Sequence, residues 1–126
     1  MRSAQSTLSV TVRPEGDSEG ERLVVRLVGE LDITSSPLLQ AVVEQACASR
    51  RTPLCRHLVV DMSGVEFADA SGISPLLLAR ATLARRNGTI ELRNCRRSVR
   101  RLLRLLGLEE LATEGDAPRP FRPAVG

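Results

Sequence analysis

Apolar positions recur with two different periods along this chain, and the change from one period to the other marks out its elements. Leu8, Val10 and Val12 alternate with polar neighbours, which is the period of a strand. Pro14 to Gly20 is polar and glycine-containing and reads as a turn. A second strand follows, with Leu23, Val25 and Leu27 on one face and Val24 and Val28 on the other. Apolarity on both faces predicts an inner position in a sheet. This strand ends at Gly29-Glu30-Leu31-Asp32. Ser36-Pro37 then reads as a helix start, with Ser36 as cap and Pro37 at the first helical position. Leu38, Leu39, Val42, Val43 and Ala46 follow at helical spacing, and Pro53 lies beyond the end.

The run from Leu58 to Met62 predicts a third strand, followed by a loop from Ser63 to Ala70 in which Val65 and Phe67 tuck inward. Leu76, Leu77, Leu83 and Ala84 predict a second helix that stops near Asn87-Gly88, a pair that favours a left-handed cap. Thr89 to Arg93 is a fourth strand. Val99, Leu102, Leu103 and Leu106 mark a third helix, ended by Gly107, and Leu108 to Ala112 adds a last strand or turn. Pro118, Pro120 and Pro123 predict a disordered or extended tail.

Strands alternating with helices imply right-handed crossovers and a largely parallel sheet, here preceded by one antiparallel hairpin. Such a sheet gathers strand carboxyl ends and helix amino ends along one edge, where open α/β sheets place their sites. That edge holds Gly29 to Ser36 and Asp69 to Ser74.

A length of 126 residues allows one domain with a moderate core. There is no Trp or Tyr, so the core must come from Leu, Val, Ile and Ala, and no aromatic platform exists for stacking single-stranded bases. No apolar run reaches the roughly 20 residues that span a bilayer, and the amino terminus lacks a signal-peptide core. The expectation is a cytoplasmic protein that acts without membrane or direct nucleic-acid contact. Cys47, Cys55 and Cys95 are too few and too dispersed for a disulfide scaffold. Together with His57 they lack the paired spacing of structural zinc sites, so neither metal nor cofactor is expected. A single histidine also argues against a Ser-His-Asp enzyme.

All 18 basic residues are arginine, and the net charge of +3 is mild. Arg96, Arg97, Arg100, Arg101 and Arg104 surround the apolar stripe of the third helix. Such a helix suits an anionic surface, or is a core helix whose outer face is solvated arginine.

The candidate chemistry lies in Asp69-Ala70-Ser71-Gly72-Ile73. A serine where a loop turns into a helix is either an ordinary cap or an accessible hydroxyl beside a positive helix end, suited to receive phosphate. Asp32 either meets a partner or hydrogen-bonds its own turn, and Asp69 either orients the serine or satisfies loop amides.

Three blocks in order carry a resemblance. They are Val28-Gly29-Glu30-Leu31-Asp32, then Val60-Asp61-Met62-Ser63-Gly64-Val65-Glu66-Phe67-Ala68-Asp69-Ala70-Ser71-Gly72-Ile73, and the weaker Ser98-Val99-Arg100-Arg101-Leu102-Leu103 with Leu106-Gly107-Leu108. Over roughly Thr7 to Ala112 the chain resembles the STAS domain of bacterial anti-sigma factor antagonists. The resemblance implies an α/β fold with a mixed, mostly parallel sheet of four to five strands and helices packed mainly on one face. It divides the chain into a flexible segment 1–6, a domain 7–112 and a tail 113–126.

By the same resemblance the protein is a non-enzymatic switch, a monomer or weak dimer. An anti-sigma factor with a serine-kinase ATP fold phosphorylates Ser71; the unmodified form binds that kinase, and a metal-dependent serine phosphatase resets the switch. The partner-facing residues would be Asp32, Ile33, Thr34, Asp69, Ala70, Gly72, Ile73 and Ser74. The alternative is a constitutive STAS subunit of an ABC-type lipid transport assembly; a nucleotide-binding module ranks lower, since the chain has no glycine-rich phosphate loop with lysine. Two departures stand out. Ala70 replaces a hydroxyl residue common in relatives, and Ser74-Pro75 is by local rules a second helix start that competes with the family's start around Ser71-Gly72.

Overall fold

The computed structural model describes residues 8–17, 20–48 and 57–112. The segments 1–6 and 113–126, and with them Cys55, Pro53 and the tail prolines, lie outside the described residues. Strands β1 (Ser9–Asp17), β2 (Gly20–Leu31), β3 (His57–Ala68) and β4 (Thr89–Arg93) form one sheet in the order β1-β2-β3-β4. β1 pairs antiparallel with β2, while β2-β3 and β3-β4 are parallel. Helices α1 (Ser36–Ala48), α2 (Ala70–Ala84) and α3 (Arg97–Leu105) complete the fold. Instead of a fifth strand, Glu109–Leu111 forms a 3₁₀ turn, and Ala112 makes a single parallel bridge to Leu92 on the outer side of β4.

One core joins the sheet to all three helices. Leu23, Val25, Leu27, Leu58, Val60, Met62, Ile90 and Leu92 line it from the strands. Leu39, Val43, Ile73, Leu76, Leu83, Val99 and Leu103 close it from α1, α2 and α3. Each such side chain contributes roughly 1.5–3 kcal/mol by leaving water. Leu38 and Leu106, which fit the helical spacing, are exposed instead; Leu38 lies off the packed face of α1 and Leu106 follows the last residue of α3.

The hairpin is longer than its polar sequence predicts. Pairing runs through Pro14 to Asp17↔Gly20, and residues 18–19 lie outside the described residues. β1 is an edge strand, which is where a proline without an N–H can sit. β3 likewise continues through the expected loop, because it carries two extra residues against β2. Arg26↔Asp61 is followed by Val28↔Gly64, and Gly29↔Val65 by Glu30↔Phe67. Each bulge reverses which face a residue meets. Met62 and Val65 therefore both point into the core while Phe67, expected inside, is turned outward and 48% exposed. Gly29 lies at the second shift with φ +130°, a backbone that side chains resist.

The helix ends follow their signals. Asn87 has φ +59° and the Gly88 N–H donates to the Leu83 carbonyl at 2.7 Å; Gly107 has φ +73° and the Leu108 N–H donates to Leu103 at 2.8 Å. Cys47 and Cys95 are both buried. Burial pushes the Cys95 thiol up from 9.0 to about 11, against the opposing charge of Arg100. The folded state thus holds a proton that the unfolded chain releases, and stability should fall as pH rises from 9 toward 11. With no lysine or tyrosine in the chain, few other groups titrate there. Denaturant midpoints across that window should decline in the parent and flatten in Cys95→Ala; parallel curves would refute the assignment.

Candidate functional site

The site forms where β2 and β3 end side by side. Leu31 pairs with Ala68, and the Asp69 N–H donates to the Leu31 carbonyl at 3.0 Å. From that point β2 turns into α1 through Asp32 to Ser35, and β3 turns into α2 at Asp69. Both helices therefore start at one edge, and both starts are built by an aspartate.

Asp69 is extended (φ −124°, ψ −179°), and its Oδ1 accepts the Gly72 N–H at 2.9 Å, making it the cap of α2. Helix α2 begins at Ala70, close to the start the family pattern implies and well before Ser74-Pro75. Asp32 Oδ1 accepts the amides of Thr34 at 3.0 Å and Ser35 at 3.1 Å, so this carboxylate organises its own turn. Ser35 is buried; its hydroxyl donates to the Glu30 carbonyl at 2.7 Å and accepts the Asp32 N–H at 3.0 Å. The Leu39 N–H bonds the Ser35 carbonyl, which makes Ser35, not Ser36, the last residue before α1. An aspartate followed three residues later by a serine was the available signal for this turn.

Gly72 sets the spacing between the two segments. A Cβ there would stand 2.5 Å from the Asp32 amide nitrogen and closer still to the Leu31 carbonyl group. These are backbone atoms, which cannot swing aside. The hydrogen on Gly72 thus lets the first turn of α2 rest directly on the Leu31-Asp32 peptide.

The expected partner-facing residues divide in two. Ile33, Thr34, Ala70, Ser71 and Ser74 are exposed, with Ile33 at 74%, while Asp32 and Asp69 are half-buried. Gly72 and Ile73 are buried, contrary to expectation, because Gly72 abuts β2 and the Ile73 side chain belongs to the core. The Ser71 hydroxyl makes no hydrogen bond among the described residues, so Ser71 is not the cap. Amides of the first helical turn have no acceptor within the helix, so Ala70 and Ser71 leave a positive helix end beside that hydroxyl.

Three further apolar residues on the flanking elements are exposed; the sequence pattern assigns Phe67 and Leu38 to the interior and does not single out Leu78. Phe67 lies two residues before Asp69, Leu38 is in the first turn of α1, and Leu78 is 57% exposed on α2. Ser71, Ser74 and Leu78 stand at i, i+3 and i+7, which share a helix face. An open groove of about 470 Å³ continues from Leu78 between α1 and α2, lined by Val43, Pro75, Ala79, Glu44 and Arg85.

Among the described residues no three or more His, Cys, Asp or Glu side chains gather as a metal site, and no helix is long and apolar enough to cross a membrane. The α3 arginines surround buried Val99 and Leu103, so the apolar side of that helix is consumed by the core.

Comparison with known proteins agrees with this architecture. The chain is 30% identical over 86 residues to an anti-sigma F factor antagonist of Paenibacillus polymyxa, an alignment covering 68% of this chain and 71% of that protein. It superposes on the anti-sigma factor antagonist SpoIIAA in its unphosphorylated form with a TM-score of 0.67 and 22% identity, covering 83% of this chain and 88% of that one. The phosphorylated form of SpoIIAA, a Bacillus cell fate determinant, gives a TM-score of 0.61 at 21% identity, covering 83% and 91%. The family model described as "Mlab, STAS domain" matches residues 16–113. The chain belongs to the STAS domain family.

Proposed function

We propose that this protein is an anti-sigma factor antagonist whose phosphate acceptor is Ser71. The observation that carries the reading is an exposed, unbonded serine hydroxyl in the first turn of α2, capped by Asp69 and held against the Asp32 turn by Gly72. Exposed Ile33, in the turn that Gly72 abuts, and Leu78, on the Ser71 face of α2, provide apolar area for a partner to cover. The unmodified surface binds an anti-sigma factor with a serine-kinase ATP fold. In the transfer, Ser71 Oγ forms a bond to the γ-phosphorus of ATP as the bond to ADP breaks, and the hydroxyl proton passes to a base of the kinase. A metal-dependent serine phosphatase reverses the modification by hydrolysis. The protein itself is a substrate and ligand, not an enzyme.

The added phosphate carries about −1.5 to −2 charges at pH 7. It would sit at the positive end of α2, so the fold tolerates it without rearrangement. A partner covering it would instead have to desolvate a dianion beside Asp69 and Asp32. Release thus follows from charge at the interface and not from refolding.

Incubation with the cognate kinase and ATP should place one phosphate on the chain, located at Ser71 by mass spectrometry. Ser71→Ala should incorporate none; unchanged incorporation would show that the acceptor lies elsewhere.

A further inference from the structure

We infer that Ser74 is a positioning residue for Ser71, acting through the Ser71 carbonyl; the inference rests on the acceptor reading above. In an α-helix the carbonyl of residue 71 accepts the N–H of residue 75. Residue 75 is proline, sits inside α2 at the sixth helical position, and has no N–H. Its ring also crowds the carbonyl four residues back, which is that of Ser71. The backbone ladder is therefore missing one rung, at the residue that carries the acceptor hydroxyl. Ser74 replaces it: its Oγ donates to the Ser71 carbonyl at 3.0 Å. Ser74-Pro75, which by local sequence rules starts a helix, is instead a break in the ladder together with its repair.

The repair matters for phosphoryl transfer because the acceptor oxygen must be held in line with the γ-phosphorus, and small misplacements cost rate. Ser74 is exposed, as is Ser71, so the bond is spared burial and contributes local order more than global stability. Docking of the kinase depends on the surrounding surface and should depend little on this bond. Loss of the Ser74 hydroxyl is thus expected in kcat and not in KM.

The test is a double-mutant cycle read by Ser71 phosphorylation kinetics with the cognate kinase and ATP. Ser74→Ala should lower kcat about three- to tenfold, the range that loss of one hydrogen bond gives, with KM nearly unchanged. Pro75→Ala restores the backbone N–H. In that background Ser74→Ala should change kcat by less than about twofold, because the ladder now holds the Ser71 carbonyl. Ser74→Thr, which keeps a hydroxyl able to bond the carbonyl three residues back, should retain the parental kcat, and Ser74→Val should behave as Ser74→Ala. Where Pro75→Ala perturbs folding, since Pro75 is buried, the Thr and Val pair is read together with KM. A loss in Ser74→Val confined to kcat supports positioning, and a raised KM indicates contact with the kinase and overturns it.

An equal loss in both backgrounds would mean that the Ser74 hydroxyl touches the kinase directly, and would overturn the inference. So would parental kcat in both Ser74→Ala and Ser74→Val. A parent chain not phosphorylated at Ser71 overturns the acceptor reading and the positioning role together. A phosphorylated parent with a flat cycle overturns the positioning role alone.

Discussion

Gly72→Ala should lower the midpoint of thermal unfolding by on the order of 10 °C or more. In an exposed helical position the same change stabilises, by up to about 1 kcal/mol, since glycine is the poorer helix former. Here the added methyl would overlap the Leu31 carbonyl group and come within 2.5 Å of the Asp32 nitrogen. Overpacking of this kind costs about 1–3 kcal/mol or more, and backbone atoms offer little relief. For a domain of this size each kcal/mol moves the midpoint by roughly 4–8 °C. Relief could come only by moving the start of α2 off the turn that follows β2, which would also break the Asp69 N–H bond to Leu31. Phosphorylation of Ser71 should then fall even below the unfolding transition. A raised midpoint would show that the two segments are not in the contact described.

Ser71→Asp should weaken binding of the anti-sigma kinase by about a hundredfold while leaving the midpoint of unfolding unchanged or slightly higher. A loss of ~3 kcal/mol at the interface corresponds to that factor. The opposite sign for stability arises because an acid in the first helical turn interacts favourably with the helix dipole, by about 0.3–1 kcal/mol. Ser71→Asn, polar and uncharged, should keep affinity within a few-fold. Titration calorimetry with the purified kinase separates the three chains, and undiminished affinity in Ser71→Asp would sink the charge-based release. Affinity capture with parent and Ser71→Asp protein side by side also distinguishes the second reading: a transporter ATPase retained equally by both would indicate a constitutive subunit.

The elements of this fold were legible because its periods are clean. Thr89–Arg93 matches the predicted fourth strand residue for residue, and Asn87 and Gly107 take the left-handed conformations that end α2 and α3. What the sequence could not supply were effects of neighbours. Pro14 reads as a turn until β1 is known to be an edge. The two bulges of β3 exist only against β2, so strict alternation from Met62 sends Val65 to the wrong side, and the second bulge turns Phe67 back outward. The candidate site was legible as a segment but not in its division of labour. Asp69 takes the cap because its carboxylate reaches the Gly72 N–H, leaving the Ser71 hydroxyl without a bond among the described residues and Ser74 to serve the Ser71 carbonyl. Ile73 sits in the same motif, yet helical rotation carries it into the core.

The two edges of the sheet also limit how anything can attach to this molecule. On the outer side of β4, the 3₁₀ turn and the Ala112 bridge to Leu92 occupy the place of another strand, tied to α2 by the Arg80–Glu110 pair at 2.8 Å. On the other side, β1 carries Pro14 between Arg13 and Glu15, a missing donor flanked by charges. Neither edge offers a clean template for strand addition. On the proposed reading, recognition is left to side chains at the helix starts, a surface whose charge a single covalent group changes. A partner bound through a continuous ladder of main-chain bonds would be largely indifferent to such a group, whereas one bound through the Ser71 edge is not.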